Sequence, residues 1–444
     1  MQAVECGPAG AQSAGQKAAV VAILAGAGAV LVMLGAWLGM RLWLSVLACV
    51  LFAALLKWPE ICLLLFLTAG TFKLELATLL QSEVDITLVL AVVLGLGLGL
   101  RLLRPPPSPT TPHSAVLHPY SSPLLPFLGL ALLVLVSALV HPDTTYGSAK
   151  AVRFVSLTGL ALAAAYLVLK DQARLTRFFA GSAVMGAVMV VMGRVTSAGL
   201  TAFNATHIAT GRIIGLGLLG SIFLIMRSSS RLARVVLIPL IALLSFGFLY
   251  SGSRGSLVAL VASMVAVAAA AFRFRRGRGL VAGAAVILGL ALAAVTFLFP
   301  AAAETMNSRV VAVFEDAGSV GSAAGRLHRA EDALELIRDH PLFGVGIGGF
   351  DLARGYGDSP RGDYAHNILL EVGCELGLLG LALLIVLILP ALSRSTRALA
   401  QVRTRHGFAT AAVLLAVLVY FLVNAMFSGD LNDNRLLFAG IGMC

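Results

Sequence analysis

The sequence predicts an all-α polytopic membrane protein with about twelve to fourteen transmembrane helices, from the length of its apolar runs. Apolar residues make up 59% of the 444, charged residues only 12%, and mean hydropathy is +0.96. The apolar runs recur at lengths near the ~20 residues a helix needs to cross the hydrocarbon core. They do not alternate apolar and polar at every second residue, as the strands of a membrane barrel would.

In chain order, the expected spans are 18–38, 41–56, 59–73, 84–103, 123–140, 148–169, 176–196, 205–226, 232–250, 254–272, 279–299, 366–390 and 407–427. Residues 1–17 read as a polar, Gly/Ala-rich tail without the basic region of a cleavable signal. Residues 18–299 form the main bundle, 300–365 a polar insertion, and 366–444 the C-terminal helices. The stub from Arg435 to Cys444 is too short to cross alone. Residues 104–126, rich in Pro, Ser and Thr, read as a connector without a packed core.

Charge placement orients these spans. Five turns, at 101–104, 170–177, 227–234, 273–278 and 394–406, together hold sixteen Lys and Arg against one acid, Asp171. Two spans separate each turn from the next, so all five share one side, which the positive-inside rule makes cytoplasmic. The insertion then faces the opposite side, and it carries ten acids against six arginines. The net charge of +11 is an orientation signal with contact to membrane lipids. No aromatic residues interleave with the basic turns as in a nucleic-acid interface, so no nucleic-acid partner is expected.

The five cysteines show no metal-ligand spacing. Three lie within or beside apolar spans and read as small core residues. Gly215-Leu-Gly217-Leu-Leu-Gly220 is a literal GxGxxG, but no strand precedes it and its surroundings are apolar, so it fails as a dinucleotide site.

Cations that break the charge rule mark candidate sites. Arg212 lies inside the span 205–226, roughly 10 Å from its outer end at about 1.5 Å per residue. Arg254 opens the span 254–272 within Ser251-Gly252-Ser253-Arg254-Gly255-Ser256, and Arg326 lies in the insertion. A guanidinium fork matches phosphate oxygens at two points. A helix N-terminus beside small residues adds backbone N–H donors. These three positions therefore suggest a phosphate or pyrophosphate site at the outer boundary, against the alternative of interhelical ion pairs or snorkelling.

Within the insertion, Leu327, Ala330, Leu334 and Ile337 fall at helical spacing, and predict an amphipathic helix lying on the membrane surface. His340-Pro341 ends it, and Gly344-Val-Gly346-Ile-Gly348-Gly349 follows as a flexible turn. The layout suits a lid or acceptor platform. His366-Asn367 sits where the insertion re-enters an apolar stretch, and an ionisable group at that boundary is a functional candidate by default.

His366-Asn367, followed after nine residues by Gly377-Leu-Leu-Gly380, resembles the signature of the bacterial O-antigen ligase and O-antigen polymerase-like family. Asp339-His340-Pro341-Leu-Phe-Gly-Val-Gly346, Ser-x-Ser-Arg254-Gly, Gly211-Arg212 and Ser428-Gly429-Asp430 extend the resemblance in order over residues 200–435. Taken alone each element is weak, since GxxG in a membrane helix commonly means close helix packing.

The resemblance implies a GT-C-like integral membrane glycosyltransferase of the bacterial inner membrane with a periplasmic active site. It implies transfer of a glycan from undecaprenyl pyrophosphate to a hydroxyl of lipid A-core, with lipopolysaccharide ligation as the first reading. Polymerases in such families use a second lipid-linked glycan, and protein O-oligosaccharyltransferases a Ser or Thr hydroxyl. A transporter of lipid or anionic solute is the reading from another class, but the chain shows no internal repeat.

On this reading Arg212, Arg254 and Arg326 bind pyrophosphate, and no metal or cofactor is called for. His366 is the candidate base, with Asn367 orienting it or binding sugar. Displacement from the face opposite the pyrophosphate would invert the anomeric carbon. Rival bases are the outer carboxylates Glu75, Glu83 and Asp85, and Asp363 beside the motif. No DxD pair appears among them; Glu83-Val84-Asp85 is the nearest approach.

Overall fold

The computed structural model describes residues 40–81, 84–103, 122–141, 145–196, 199–274, 277–298, 304, 323–355 and 363–444. The expected span 18–38, the connector from 104 to 121 and Glu83 lie outside these residues. The chain forms two compact units, 1–58 and 59–444. In the first, α1 (Met40–Lys57) is described. In the second, the order begins α2 (Pro59–Leu80), α3 (Ile86–Leu102), α4 (Leu124–Val140), α5 (Thr145–Arg153), a π-helical turn (Phe154–Thr158), α6 (Gly159–Val168) and α7 (Gln172–Val191). It continues through β1 (Arg194–Thr196), β2 (Gly199–Thr201), α8 (His207–Arg227), α9 (Arg231–Ser251), α10 (Arg254–Arg273), α11 (Arg278–Leu298), α12 (Ala323–Asp339), α13 (Phe350–Arg354), α14 (Ile368–Gln401), α15 (Arg405–Ala425) and α16 (Arg435–Met443).

Among the described residues, eight helices are long and apolar enough to cross a membrane, and the chain is an all-α polytopic membrane protein. The helices begin where the sequence supplies a cap. Asp85, Asp171, Thr206 and Thr404 each accept a hydrogen bond from a backbone N–H of the first turn, satisfying donors that a helix leaves open. Where the expected span 176–196 ends, α7 stops at Val191 and an antiparallel hairpin pairs Val195 with Leu200. The stub at 435–444 is a short buried helix.

Two helices form the centre. In α8 and α15, 78% and 83% of the apolar window is buried, against 39–44% in the other six spans. Peripheral helices keep exposed apolar faces, such as Leu125, Leu128 and Leu132 on α4, which suits a surface solvated by lipid. Cys62, Cys374 and Cys444 are buried, and Cys49 is exposed.

Three of the five basic turns, at 170–177, 227–234 and 394–406, meet at one end of the bundle. Arg405 Nε donates to Met226 O at 2.7 Å, and Gln172 Oε1 accepts from Arg227 at 2.6 Å and from Thr410 at 3.0 Å. This is the shared side that the charge pattern requires.

Two expectations about the insertion change. Of the expected stripe on α12, Ile337 packs with Ala333 and Leu336 against Phe350, Ala365 and Cys374, a partner other than lipid, while Leu327 and Leu334 stay exposed. The glycine-rich stretch is also pinned, because α14 is broken at Gly377, whose φ of 68° and ψ of −170° are non-helical. A break exposes backbone groups on both sides. Residues 341–346 satisfy them: Leu378 N donates to Pro341 O at 2.8 Å, Val345 N to Cys374 O at 2.9 Å and Gly346 N to Glu375 O at 3.0 Å. Gly377 of the GxxG pair therefore receives a loop rather than a neighbouring helix.

A Cβ at Gly377 would stand 2.2 Å from the Leu342 carbonyl oxygen. We predict that Gly377→Ala lowers stability by about 1–3 kcal/mol from backbone strain alone, with the clash added. Gly95→Ala, interior to α3 with nothing within 4 Å of its Cβ, should not lower stability. Thermal unfolding in detergent checks both.

Candidate functional site

At the end opposite these basic turns, α8, α10, α12, the end of α15 and the residues following it surround a small polar cavity of about 40 Å³. Arg212, Arg254 and Arg326 all line it, with His207, Ser253, Asn424 and Ser428. The three sequence-predicted guanidinium groups thus meet in one place.

Each arrives by a different route. Arg212 belongs to the central helix α8, and its Nη2 donates to Asn424 O at 3.2 Å and Ser428 O at 2.6 Å. Those carbonyls end α15, where the helix dipole favours a cation. Its Nε is buried without a hydrogen-bond partner among the described residues. Gly429 makes room for it. There φ is +85°, and a Cβ would fall 3.3 Å from Arg212 Nη1.

Arg254 is the first residue of α10, whose N-cap Ser253 makes no side-chain cap bond. The Ser253 hydroxyl instead donates to Ser256 Oγ, and Ser256 Oγ donates to Asn424 Oδ1, both at 3.0 Å. Arg326 comes from the start of α12. Burial first, and then the like charge of Arg254, lower its pKa. Forcing two guanidinium groups together in a desolvated recess is unfavourable without an anion to share. Among the described residues, neither Arg212 nor Arg326 forms a salt bridge.

His366 does not line the cavity, but it lies near enough to Arg326 for that cation to act on its ring. Its φ is +55°, a left-handed conformation uncommon outside glycine and suggestive of a constrained, functional position. Its ring lies 4.3 Å from that of Tyr364, centroid to centroid. Burial, and then Arg326 and Arg329, push the imidazole pKa down to about 4, against the opposing pull of Asp363. The ring is therefore neutral across the physiological range, with a buried Nδ1 that has no hydrogen-bond partner among the described residues. Tyr364 lies between His366 and Arg212 electrostatically: burial and nearby carboxylates raise its pKa, while Arg212 opposes them.

The remaining candidates hold structural posts. Asn367 caps α14, its Oδ1 accepting from Leu369 N at 2.9 Å and Leu370 N at 3.3 Å. Asp85 caps α3 and faces Lys73 at 3.7 Å. Asp363 is held by Arg329 at 2.7 Å, and Glu75 accepts from Asn204 at 2.6 Å. A carboxylate engaged in this way is a poorer base than a neutral, unpartnered imidazole.

Sequence reasoning missed a buried ionic cluster beside the site. Lys150 reaches Glu371 at 2.5 Å and Glu375 at 2.7 Å, with all three side chains at most 1% exposed. Tyr146 donates to Asp430 at 2.5 Å nearby. The available signal was an ionisable residue inside an apolar segment, which Lys150, Glu371 and Glu375 each supply.

Residues 239–385 match the family model described as O-antigen ligase. The matched stretch runs from within α9 to within α14, and holds Arg254, Arg326 and His366; Arg212 lies outside it. No curated protein matches the chain. The match supports an O-antigen ligase-like family.

Removing the cation that disfavours the imidazolium must raise the pKa of His366. In histidine-labelled protein followed by NMR, we expect His366 to titrate near 4 and to move upward toward the ordinary ~6.5 in Arg326→Ala. A wild-type value near 6.5 would contradict the site as described.

Proposed function

From an O-antigen ligase-like membrane chain, we propose an inverting glycosyltransferase that moves a glycan from undecaprenyl pyrophosphate to an acceptor hydroxyl on lipid A-core, at the periplasmic face of the inner membrane. The observation that carries this reading is the meeting of Arg212, Arg254 and Arg326 in one cavity near a neutral His366.

The chemistry divides between two kinds of side chain. As the anomeric carbon loses its bond to the pyrophosphate oxygen, negative charge accumulates on the departing lipid pyrophosphate. Guanidinium groups fixed in a partly buried recess stabilise that charge with little reorganisation. The acceptor oxygen forms the new bond from the opposite face and passes its proton to the His366 imidazole. A neutral ring is the form that accepts it.

Purified protein given lipid-linked glycan and core-only lipopolysaccharide is expected to form the covalent product. Polymer growth without the core acceptor would assign the acceptor to a second lipid-linked glycan, and flux without product would assign the protein to transport. Arg254→Ala should lower kcat by about 10²–10³-fold, as loss of a transition-state donor does. His366→Ala should lower it by about 10²–10⁴-fold. Near-normal turnover in either variant removes that residue from the mechanism.

The depressed histidine pKa has a kinetic consequence. Protonation of the free enzyme's base sets the acid limb of kcat/KM, so activity should persist through pH 6 and fall toward about 4. An acid limb at the ordinary histidine pKa would contradict the depressed pKa of His366.

A further inference from the structure

Building on the proposed site, we infer that Glu371, held by Lys150, is a positioning residue that fixes the loop 428–434, and through it Arg212, relative to His366. A continuous path of bonds carries this. Asn367, next to His366, caps α14, and its carbonyl accepts from Glu371 N at 2.8 Å. Glu371 Oε1 accepts from Leu431 N at 3.0 Å. Three residues earlier in the same loop, Ser428 O accepts from Arg212 at 2.6 Å. The side of the base and the side of the pyrophosphate are therefore joined by one buried carboxylate.

The clamp has a second strand. Asn432 Nδ2 donates to Lys150 O at 3.2 Å, so the loop is tied to α5 as well as to α14. Within the loop, Asn434 donates to Gly429 O and Asp430 O, and Asp433 N donates to Asp430 Oδ1. The loop is thereby a stiff piece whose position follows its tethers. Glu371 Oε2 is buried without a hydrogen-bond partner among the described residues, so the described anchoring by this carboxylate runs through Oε1. A backbone N–H to carboxylate bond is charge-assisted and directional. Displacing a catalytic group by about 1 Å can cost about 10²-fold in rate.

The two glutamates separate positioning from stability. Glu371→Ala and Glu375→Ala each leave Lys150 with one carboxylate, but only Glu371→Ala severs Leu431. In purified full-length protein we expect comparable losses of thermal stability. Hydrogen exchange across 428–434 should rise at least tenfold in Glu371→Ala and less than threefold in Glu375→Ala. Affinity for farnesyl pyrophosphate, measured by calorimetry, should fall in the same order.

Equal effects of the two variants on the loop, or exchange in Glu371→Ala within threefold of wild type, would overturn the inference. If Glu371→Ala does not fold, Asn432→Ala cuts the second tether without touching a charge. It should also speed exchange across 428–434, and unchanged exchange there would overturn the clamp. Absence of farnesyl pyrophosphate binding in the wild-type protein would count against the donor site, while the exchange data still decide the clamp.

Discussion

Desolvation governs this bundle. A cation at helix depth cannot rely on water, so every charge held there needs partners from the protein or from a ligand. Lys150 is satisfied by two carboxylates from α14. Arg212 takes carbonyl oxygens at the end of α15. The remaining capacity of the guanidinium groups faces the cavity, where an anionic substrate group would complete what the fold begins.

The same constraint divides labour along α14. Its first residues, before the break at Gly377, carry Glu371 and Glu375, whereas residues 378–392 are apolar and the basic turn follows at Arg394. Ionic contacts and the histidine motif are thereby gathered near one boundary, and the apolar part satisfies the membrane. The loop 341–346 closes the break with backbone bonds, so the polar and apolar parts of one helix are joined by a segment from the insertion.

Much of the architecture was legible because hydropathy and length are local properties. The spans beginning near 59, 205, 254 and 407 correspond to α2, α8, α10 and α15. Arg212, Arg254 and Arg326 were legible as cations out of place in the charge pattern. Other features depended on partners far away in sequence. Lys150 and Glu375 pair across 225 positions, and the contacts of Arg212 are to backbone carbonyls that side-chain chemistry does not announce. An apolar stripe such as that of α12 does not say whether lipid or protein will cover it. The sequence reads Asn367 as orienting His366 or binding sugar, and its cap bonds to Leu369 N and Leu370 N, made by backbone geometry at the start of α14, were not legible in it.

The break at Gly377 also bears on how the protein is made. Residues 341–346 are synthesised ahead of the helix they complete, so the segment that caps the break already exists when α14 emerges. Over residues 378–392 α14 is apolar, a stretch of about 22 Å at about 1.5 Å per residue, before Arg394 and Arg397. The break can therefore be closed by docking of a segment that is already present, without waiting for any later part of the chain.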